Sequence, residues 1–316
     1  MSEDLFYNRD TSISGIAIPE TFFDLKENAS YGSTSTFESK AFSYETTDSY
    51  FNTMPSSLNS LKATFKVTYN VKLDKAQEII SFIEDKKGNE SFIFNPYPLI
   101  YRPFGAFCDN YVMSSVSKNR VDLTTEIVSD QCPNLLNWLN LTFTKYEVSS
   151  FNIGKTYKKY DIVYSAVNEN KLNNFFYCTE GHIGDASNGP NQAASKWTQD
   201  FFFQPDIDFT NNVKMGVTRL EFKNSFPMNL KTKNNQIIFK FNYRYSNISD
   251  KQLTCMMHFL ENKAGYRKFK HQIPIVFNRP KVFFCDKWSH TWKYFNCHDL
   301  DVYLTEDALG VLTTDS

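Results

Sequence analysis

Residues 82–123, FIEDKKGNESFIFNPYPLIYRPFGAFCDNYVMSSVSKNRVDL, return as residues 259–300, FLENKAGYRKFKHQIPIVFNRPKVFFCDKWSHTWKYFNCHDL. The two stretches align without gaps at a shift of 177 positions and share 13 of 42 residues. Their common string RPxxxFCD runs from Arg102 to Asp109 and from Arg279 to Asp286. A match of this length at one fixed offset predicts a tandem duplication, so the fold is one unit that occurs twice.

Each copy predicts the same strand and helix. Alternating apolar residues predict strands over 63–71 and 237–245. These strands align at a shift of 174, which would give the second copy three extra residues before its helix. Apolar residues then recur at i, i+3, i+4 and i+7, which predicts helices over 74–87 and 250–263. The stripe residues are Ala76, Ile79, Ile80 and Ile83 in the first helix and Leu253, Met256, Met257 and Leu260 in the second.

Both predicted helices have residues that favour a start and a stop. Asp74 and Ser249 are the expected N-caps, and Ser249 forms a capping box with Gln252. Gly88 and Gly265 are expected to end the helices in the left-handed conformation.

Short aromatic-rich strands are predicted after each helix, over 91–95 and 269–277, with closing strands over 121–128 and 298–304. Phe, Tyr and Trp make 16% of the chain, which favours sheet cores over helical bundles. The predicted fold class is mainly β with α+β elements. It comprises two β-sandwich domains with one packed helix each, plus a small all-β inserted module.

The inserted segment divides the chain into predicted domains 1–148, 149–205 and 206–316. Its characteristic residues are Tyr157, Asp161, Val163, Tyr164, Tyr177, Cys178, His182, Pro190 and Trp197. Their order resembles the small carbohydrate-binding modules of chitinases and phage tail proteins, although Tyr160 stands where that family usually has Gly. The resemblance implies sugar stacking on Tyr157, Tyr164, Tyr177 and Trp197. The alternative is that these aromatic residues simply form the core of the module.

In both copies the duplicated unit resembles the minor tail protein family of long-tailed bacteriophages, the relatives of the lambda tail protein M. The resemblance covers about 62–130 and 236–307 and rests on the strand before the helix, the segments 82–92 and 259–269, and the FCD elements. It implies a tail-tube-like fold that assembles into rings around the tail channel. Three doubled chains would make a pseudo-six-fold ring, and a two-layered hexamer is the alternative.

Charge and motifs disfavour several other classes of protein. Lys and Arg number 34 against 35 Asp and Glu, which disfavours nucleic-acid binding. No P-loop, GxGxxG, GxSxG or paired-carboxylate string occurs. The His182 and Asp185 pair lacks a nucleophile, so no catalytic centre and no cofactor are expected.

Metal binding and disulfides are not expected either. The densest group of candidate ligands is Cys285, His290, Cys297 and His298, whose spacing does not match a tetrahedral zinc site. Six cysteines are spread thinly without a CxxC pair, which favours free thiols over disulfides. Cys108 and Cys285 are expected at equivalent buried positions.

The acidic N-terminal residues and the lack of a run of ~20 apolar residues predict no signal peptide and no membrane span. The chain is expected to be a non-enzymatic structural protein of the phage tail tip, assembled in the host cytoplasm. It would form a homo-oligomeric ring that joins the tail tube to other tail-tip or hub proteins. Its module would project from the outer wall toward host-surface glycan. The alternatives are a carbohydrate-binding protein and a glycan-degrading enzyme with an appended sugar-binding module.

Overall fold

A computed structural model describes residues 12–13, 16–17, 22–23, 29–39, 41–45, 51–55, 61–94, 104–129, 148–164, 175–190, 196–206, 210–215, 217–220, 228–231, 237–273 and 280–307. Within these ranges the chain forms 23 strands and two α-helices.

The N-terminal strands are β1 (Ser12–Ile13), β2 (Ile16–Ala17) and β3 (Phe22–Phe23). The first repeat contains β4 (Thr34–Ser39), β5 (Ala41–Glu45), β6 (Phe51–Pro55), β7 (Leu61–Lys72), α1 (Leu73–Lys86), β8 (Phe92–Phe94), β9 (Phe104–Ser117) and β10 (Arg120–Ser129). The module contains β11 (Ser149–Ser150), β12 (Thr156–Tyr157), β13 (Ile162–Tyr164), β14 (Phe175–Cys178), β15 (His182–Ile183) and β16 (Trp197–Thr198). The second repeat contains β17 (Thr210–Met215), β18 (Val217–Leu220), β19 (Met228–Lys231), β20 (Ile237–Ile248), α2 (Asp250–Lys263), β21 (Phe269–His271), β22 (Lys281–Tyr294) and β23 (Cys297–Glu306).

The two repeats have the same elements in the same order. β7 and β20 each have 12 residues, both helices have 14, and β9 and β22 each have 14. Elements from the helix through the closing strand start 177 positions apart, whereas β4 and β17, like β7 and β20, start 176 positions apart. The duplication seen in the sequence is therefore present in the structure.

The strand offset of 174 predicted from the alternation is wrong by two residues. In the ladders, Leu123 lies opposite Tyr69 and Leu300 lies opposite Tyr245, which gives an offset of 176. A bulge after Tyr245, where Asn247 has a φ of 57°, adds the one residue that brings the offset to 177 at the helix. Alternation with a period of two cannot distinguish 174 from 176, because both keep the same residues on the buried face.

Edge-to-edge pairing joins the repeats into one 11-stranded sheet. Its strand order is β17-β20-β23-β22-β4-β7-β10-β9-β8-β3, with β21 paired to β22. The hairpins β5-β6 and β18-β19 form separate two-stranded sheets at equivalent places in the repeats. The mainly-β class is confirmed, and the sheets predicted for the two copies are continuous with each other.

One face of the large sheet is apolar and carries both helices. In β7 the odd-numbered residues from Leu61 to Val71 are buried, whereas the even-numbered residues are polar and face the other side. The predicted stripe residues Ala76, Ile79 and Ile83 of α1 are buried, as are all four predicted stripe residues of α2. The stripes therefore form the core face of each helix. No helix in the described ranges has the length and apolar character needed to cross a bilayer.

The helix ends agree with the prediction except at the start of α1. The N-cap of α1 is Lys72 without a side-chain hydrogen bond, and Asp74 lies in the first turn. The Ser249 hydroxyl does accept a bond from the Gln252 N–H, as predicted for α2. Left-handed backbone covers 87–88 and 264–265, so each glycine shares the stop with the residue before it.

The module is a small all-β unit with its own core. β11, β13, β14 and β16 form a four-stranded sheet, and β12 pairs with β15. Tyr160, which stands where the resembling family has Gly, has a φ of 72°, in the left-handed region that glycine favours. Its ring stacks on Phe203 at 5.9 Å between centroids.

Candidate functional site

The two repeats meet where β22 of the second pairs with β4 of the first. Residues 287–291 run antiparallel to residues 34–38. The ladder continues beyond β4, because the Gly32 N–H donates to the Trp292 carbonyl at 2.6 Å and the Trp292 N–H donates to the Ser33 carbonyl at 3.0 Å. This pairing, which we call the junction, makes the two copies one sheet.

Buried aromatic rings pack across the junction. Phe37 of β4 stacks on Trp288 of β22 with centroids 5.3 Å apart and an interplanar angle of 8°. The edge of Phe37 also meets Phe65 at 5.9 Å, and all three rings are fully buried. Lys287 and Glu38 form an ion pair on the other, exposed face of the sheet. Desolvated aromatic packing contributes more here than that exposed ion pair.

A chain of buried polar groups crosses the same junction. Ser35 Oγ lies 3.3 Å from His290 Nδ1, and His290 Nε2 lies 2.8 Å from His298 Nδ1. His298 Nε2 lies 2.8 Å from Asp250 Oδ1, in the first turn of α2. These distances fit donation in one direction, from Ser35 through both imidazoles to the carboxylate. Burial lowers the pKa of His290 well below its ordinary value, and the neighbouring His298 lowers that pKa further.

The hydrogen-bonded series from Ser35 to Asp250 is closed to solvent at its serine end. The side chain of Ser35 is completely buried, so a substrate has no access to its hydroxyl in this structure. Burial also lowers the pKa of His298, against the opposing effect of its bond to Asp250. Both imidazoles are therefore neutral near pH 7, which suits a buried hydrogen-bond relay that ties β4 to α2.

Of the four candidate metal ligands, the structure brings only the two histidines into direct contact. Cys285 Sγ donates to the Lys287 carbonyl at 3.3 Å, and Cys297 Sγ donates to Asn247 Oδ1 at 3.4 Å. Within the part of the chain that the structure describes, no group of three or more His, Cys, Asp or Glu is placed to hold a metal ion. The five described cysteines are free thiols, and Cys132 lies outside the described residues.

The repeated FCD string encodes a β-bulge, a role that the sequence analysis missed. The ladder shifts register at Asp109 in β9 and at Asp286 in β22. Cys108 Sγ donates to the carbonyl two residues on at 3.5 Å, as Cys285 does in the second repeat. Both cysteines are buried at equivalent positions, as predicted, and burial raises the pKa of Cys108 to about 11. Identical bulges in both copies explain why the string recurs.

Three of the four residues predicted to stack on sugar are buried. Tyr157, Tyr177 and Trp197 are almost completely inaccessible, and Tyr164 is half-buried against the main core. The Trp197 indole N–H donates to the Asn188 carbonyl at 2.9 Å, which fixes the ring inside the module. The expected exposed face is therefore corrected: these rings fill cores because the module has few other apolar residues to bury.

His182 and Asp185, the pair considered for catalysis, form hydrogen bonds within the loops of the module. His182 Nδ1 lies 2.8 Å from the Glu180 carbonyl. The Asp185 carboxylate accepts from the N–H groups of Ser187 and Asn188 at 2.7 and 3.0 Å. The Ser187 hydroxyl also donates to Asp185 Oδ1 at 2.6 Å. This bond and those from the N–H groups lower the pKa of Asp185, and the arrangement is typical of an Asx turn.

The module packs on the outer face of α2. Tyr177 Oη lies 3.1 Å from His258 Nδ1, and the edge of Phe175 meets the His258 ring at 4.6 Å. Lys251 of α2 also pairs with Asp161 of the module at 2.6 Å. The aromatic residue predicted for sugar at position 177 instead anchors the module to the second repeat.

The equivalent outer face of α1 is open. Thr254, His258 and Glu261 of α2 are buried, whereas their counterparts Gln77, Ser81 and Glu84 of α1 are exposed. The polar residues of α1 suit water, and the module occupies only one of the two equivalent helix faces.

The counterparts of the two junction strands have open edges. Under the repeat offsets, β9 corresponds to β22 and β17 corresponds to β4. Within the described ranges, β9 meets β8 only through residues 104–106 on the side away from β10, and β17 pairs with β20 alone. Val112 and Met113 on β9 are 59% and 49% exposed. Unpaired apolar strand edges of this kind are templates for pairing with another strand.

No family model matches the chain, and no curated protein matches it. Among solved structures it is similar to the E. coli c3393 protein, with a TM-score of 0.32 and 8% sequence identity over 92% of this chain and 78% of that chain. That protein is described as a component of the type VI secretion system with structural similarity to the T4 bacteriophage tail proteins gp27 and gp5.

Proposed function

We propose that the chain is a non-enzymatic structural subunit of a phage tail tip, where copies form a ring that continues the tail tube and adapts it to host-adhesion parts. The observation that carries the proposal is the junction. It joins two equivalent repeats edge to edge and, among the described residues, leaves an unused copy of each of its strands at an open edge, β17 along its length and β9 beyond residue 106. A heterologous contact that repeats by rotation closes into a ring.

The size of such a ring follows from strand geometry. Each repeat contributes four consecutive strands, so three chains give 24 strands around the wall. At a spacing of about 4.8 Å and a tilt of about 40°, each strand occupies roughly 6 Å of circumference. Three chains then give a wall about 50 Å across between backbones, and six chains in one layer give about twice that diameter. We favour three chains, with the two-layered hexamer as the other outcome.

The two faces of the sheet support an orientation for the ring. The face without helices carries exposed or half-buried polar residues along every central strand, for example Thr36, Lys66, Thr124, Lys240 and Asp301. A polar face of this kind suits a water-filled channel. The helices, and with them the module on α2, then lie on the outer wall.

The module gives the outer wall a different symmetry from the channel. Six repeats surround the channel with nearly equivalent strands, but modules cover only α2, which occurs once per chain. A three-chain ring therefore presents three modules around a pseudo-six-fold wall. This arrangement suits a piece that joins a six-fold tube to three-fold adhesion parts.

Glycan recognition by the module stays a prediction. Its surface includes the exposed side chains of Ile153 and Ile183 and the polar loop 184–190, rather than a row of stacked aromatic rings. An array of host-surface glycans probed with the full chain tests this prediction. Trp197→Ala is not a useful variant in that assay, because removing a buried ring disturbs the module itself.

Cryo-electron microscopy and native mass spectrometry of the purified protein test the ring. We expect closed particles of three 36.8 kDa chains with a central channel. Met113→Lys should prevent assembly, because lysine on a strand edge opposes pairing. Val116→Lys, an exposed position further along the same strand, is the matched control and should assemble. A protein that remains monomeric at every concentration would contradict the proposal.

A further inference from the structure

The junction is a template for contacts between copies because its register is known residue by residue. Within one chain, Lys287 lies opposite Glu38 and Thr291 lies opposite Thr34. Offsets of 177 for β22 and 176 for β4 convert these positions into 110, 114, 214 and 210. The converted positions fall on the two strands that have open edges, β9 and β17.

Resting on the ring function proposed above, we infer that residues 110–114 of β9 pair antiparallel with residues 210–214 of β17 in the next copy of this chain. Asn110 lies opposite Lys214, and Ser114 lies opposite Thr210. The contact is β-strand addition between identical chains, with main-chain hydrogen bonds supplying the pairing and side chains fixing the register.

The exposure of equivalent residues supports this register. Trp288 and His290 are fully buried at the junction, facing the helix side of the sheet. Their counterparts on β9 are Tyr111, which is half-buried, and Met113, which is half-exposed. Tyr111 already points toward the helix, because its hydroxyl donates to Glu84 of α1 at 2.6 Å. Pairing with a neighbour would bury Met113 in the way that His290 is buried now.

The space beside Gly88, the glycine that ends α1, fits the same register. At the junction, Ser39 at the end of β4 lies against Gly265, in the turn after α2, so closely that a Cβ there would overlap Ser39 Cβ. Among the described residues, the nearest atom to the ideal Cβ of the equivalent Gly88 after α1 is the Cys108 carbonyl oxygen at 3.8 Å. In the proposed register, residue 215 of the next copy occupies the place that Ser39 has at the junction.

The pairing must be between chains. Within the described ranges β9 and β17 of one chain do not pair with each other, and seven strand spacings, a path of about 34 Å along the sheet, separate them. A disulfide between cysteines at these two strands therefore reports contact with a neighbouring copy, since Cα atoms must come within about 7 Å to be bridged.

Cysteine cross-linking of the full chain tests the register at Ser114 and Thr210, two exposed positions predicted to be directly opposite. We expect Ser114→Cys/Thr210→Cys to give covalent dimers and trimers on oxidation, with no larger species if the ring has three chains. Ser115→Cys/Thr210→Cys moves one cysteine to the other face of the sheet and should give little product. Wild-type protein under the same oxidant is the baseline for the native cysteines.

A mixture of the two single variants adds a test of direction. Ser114→Cys chains mixed with Thr210→Cys chains should give covalent dimers and no trimers, because each chain can then cross-link through one edge only. Rings seen by microscopy without this cross-link, or stronger cross-linking by Ser115→Cys/Thr210→Cys, would overturn the register but not the ring itself. Monomers without any cross-link would overturn both, and circular dichroism of each variant verifies that the fold is intact.

Discussion

Replacing Gly265 by alanine should damage the protein far more than replacing its counterpart Gly88. Both glycines end a helix with left-handed backbone, at φ values of 79° and 70°. An alanine Cβ at position 265 would overlap Ser39 Cβ, which belongs to the backbone side of that residue and cannot rotate away. At position 88 the added Cβ has ordinary space.

The difference in unfolding free energy between the two variants measures the packing at the junction. Left-handed backbone costs a non-glycine residue about 1–2 kcal/mol, and this cost is common to both substitutions. Overpacking at Gly265 adds roughly 1–3 kcal/mol, because β4 or the helix turn must shift. We therefore expect Gly265→Ala to lower the free energy of unfolding by about 2–5 kcal/mol and Gly88→Ala by about 1–2 kcal/mol.

Urea unfolding followed by tryptophan fluorescence measures this difference in a Met113→Lys background, where no neighbouring copy lies against Gly88, with the slope of the transition examined for each variant. Ser39→Gly in combination with Gly265→Ala is the matched rescue, since it removes the opposing Cβ and should return most of the extra loss. Equal destabilisation by Gly265→Ala and Gly88→Ala, or no rescue by Ser39→Gly, would refute the packing of the two repeats at this turn.

Three further predictions concern acid, the module and the thiols. Burial lowers the pKa of His271 to about 4, so the unfolded chain binds a proton at this imidazole at higher pH than the folded chain does. The free energy of unfolding should therefore keep its full value above about pH 6.5 and fall by up to about 3 kcal/mol by pH 4, and urea midpoints across that range measure the change. Trp197→Ala should cost about 3–5 kcal/mol of module stability and speed proteolysis within 148–206, whereas exposed Ile153→Ala should not, and equal rates would contradict the buried placement. Cys108 and Cys285 should react with a thiol reagent only on unfolding, because burial raises the pKa of both thiols. Fast labelling of either cysteine in the native protein would contradict their buried placement.

The sequence predicted the elements within one repeat because local patterns determine them. The stripes from Ala76 to Ile83 and from Leu253 to Leu260 fit only a helix with one buried face, and the structure places both helices within one residue of the predicted ends. The offset of the preceding strands could not be fixed in the same way. A pattern with period two looks the same after a two-residue slip, and the bulge at Asn247 has no sequence signal of its own.

The candidate site could not be predicted because it depends on pairing between distant segments. Ser35 and His290 are 255 positions apart, and neither residue has a neighbour in the sequence that indicates the other. The burial of the module's aromatic rings could not be predicted from the sequence either. Aromatic residues at Tyr157, Tyr177 and Trp197 identify a compact β unit, but only the packing on α2 and the small size of the unit decide that their rings are buried.

The two kinds of contact in the proposed ring are geometrically alike but chemically different. At the junction inside each chain, His290, His298 and Asp250 form a buried polar relay. Their counterparts between chains are Met113, Val121 and Leu73, which cannot titrate. Because the pKa values of both histidines are lowered, protonation at acidic pH weakens the junction and leaves the apolar contact between chains unchanged. Acid should therefore loosen the protein within chains before it separates the chains of the ring.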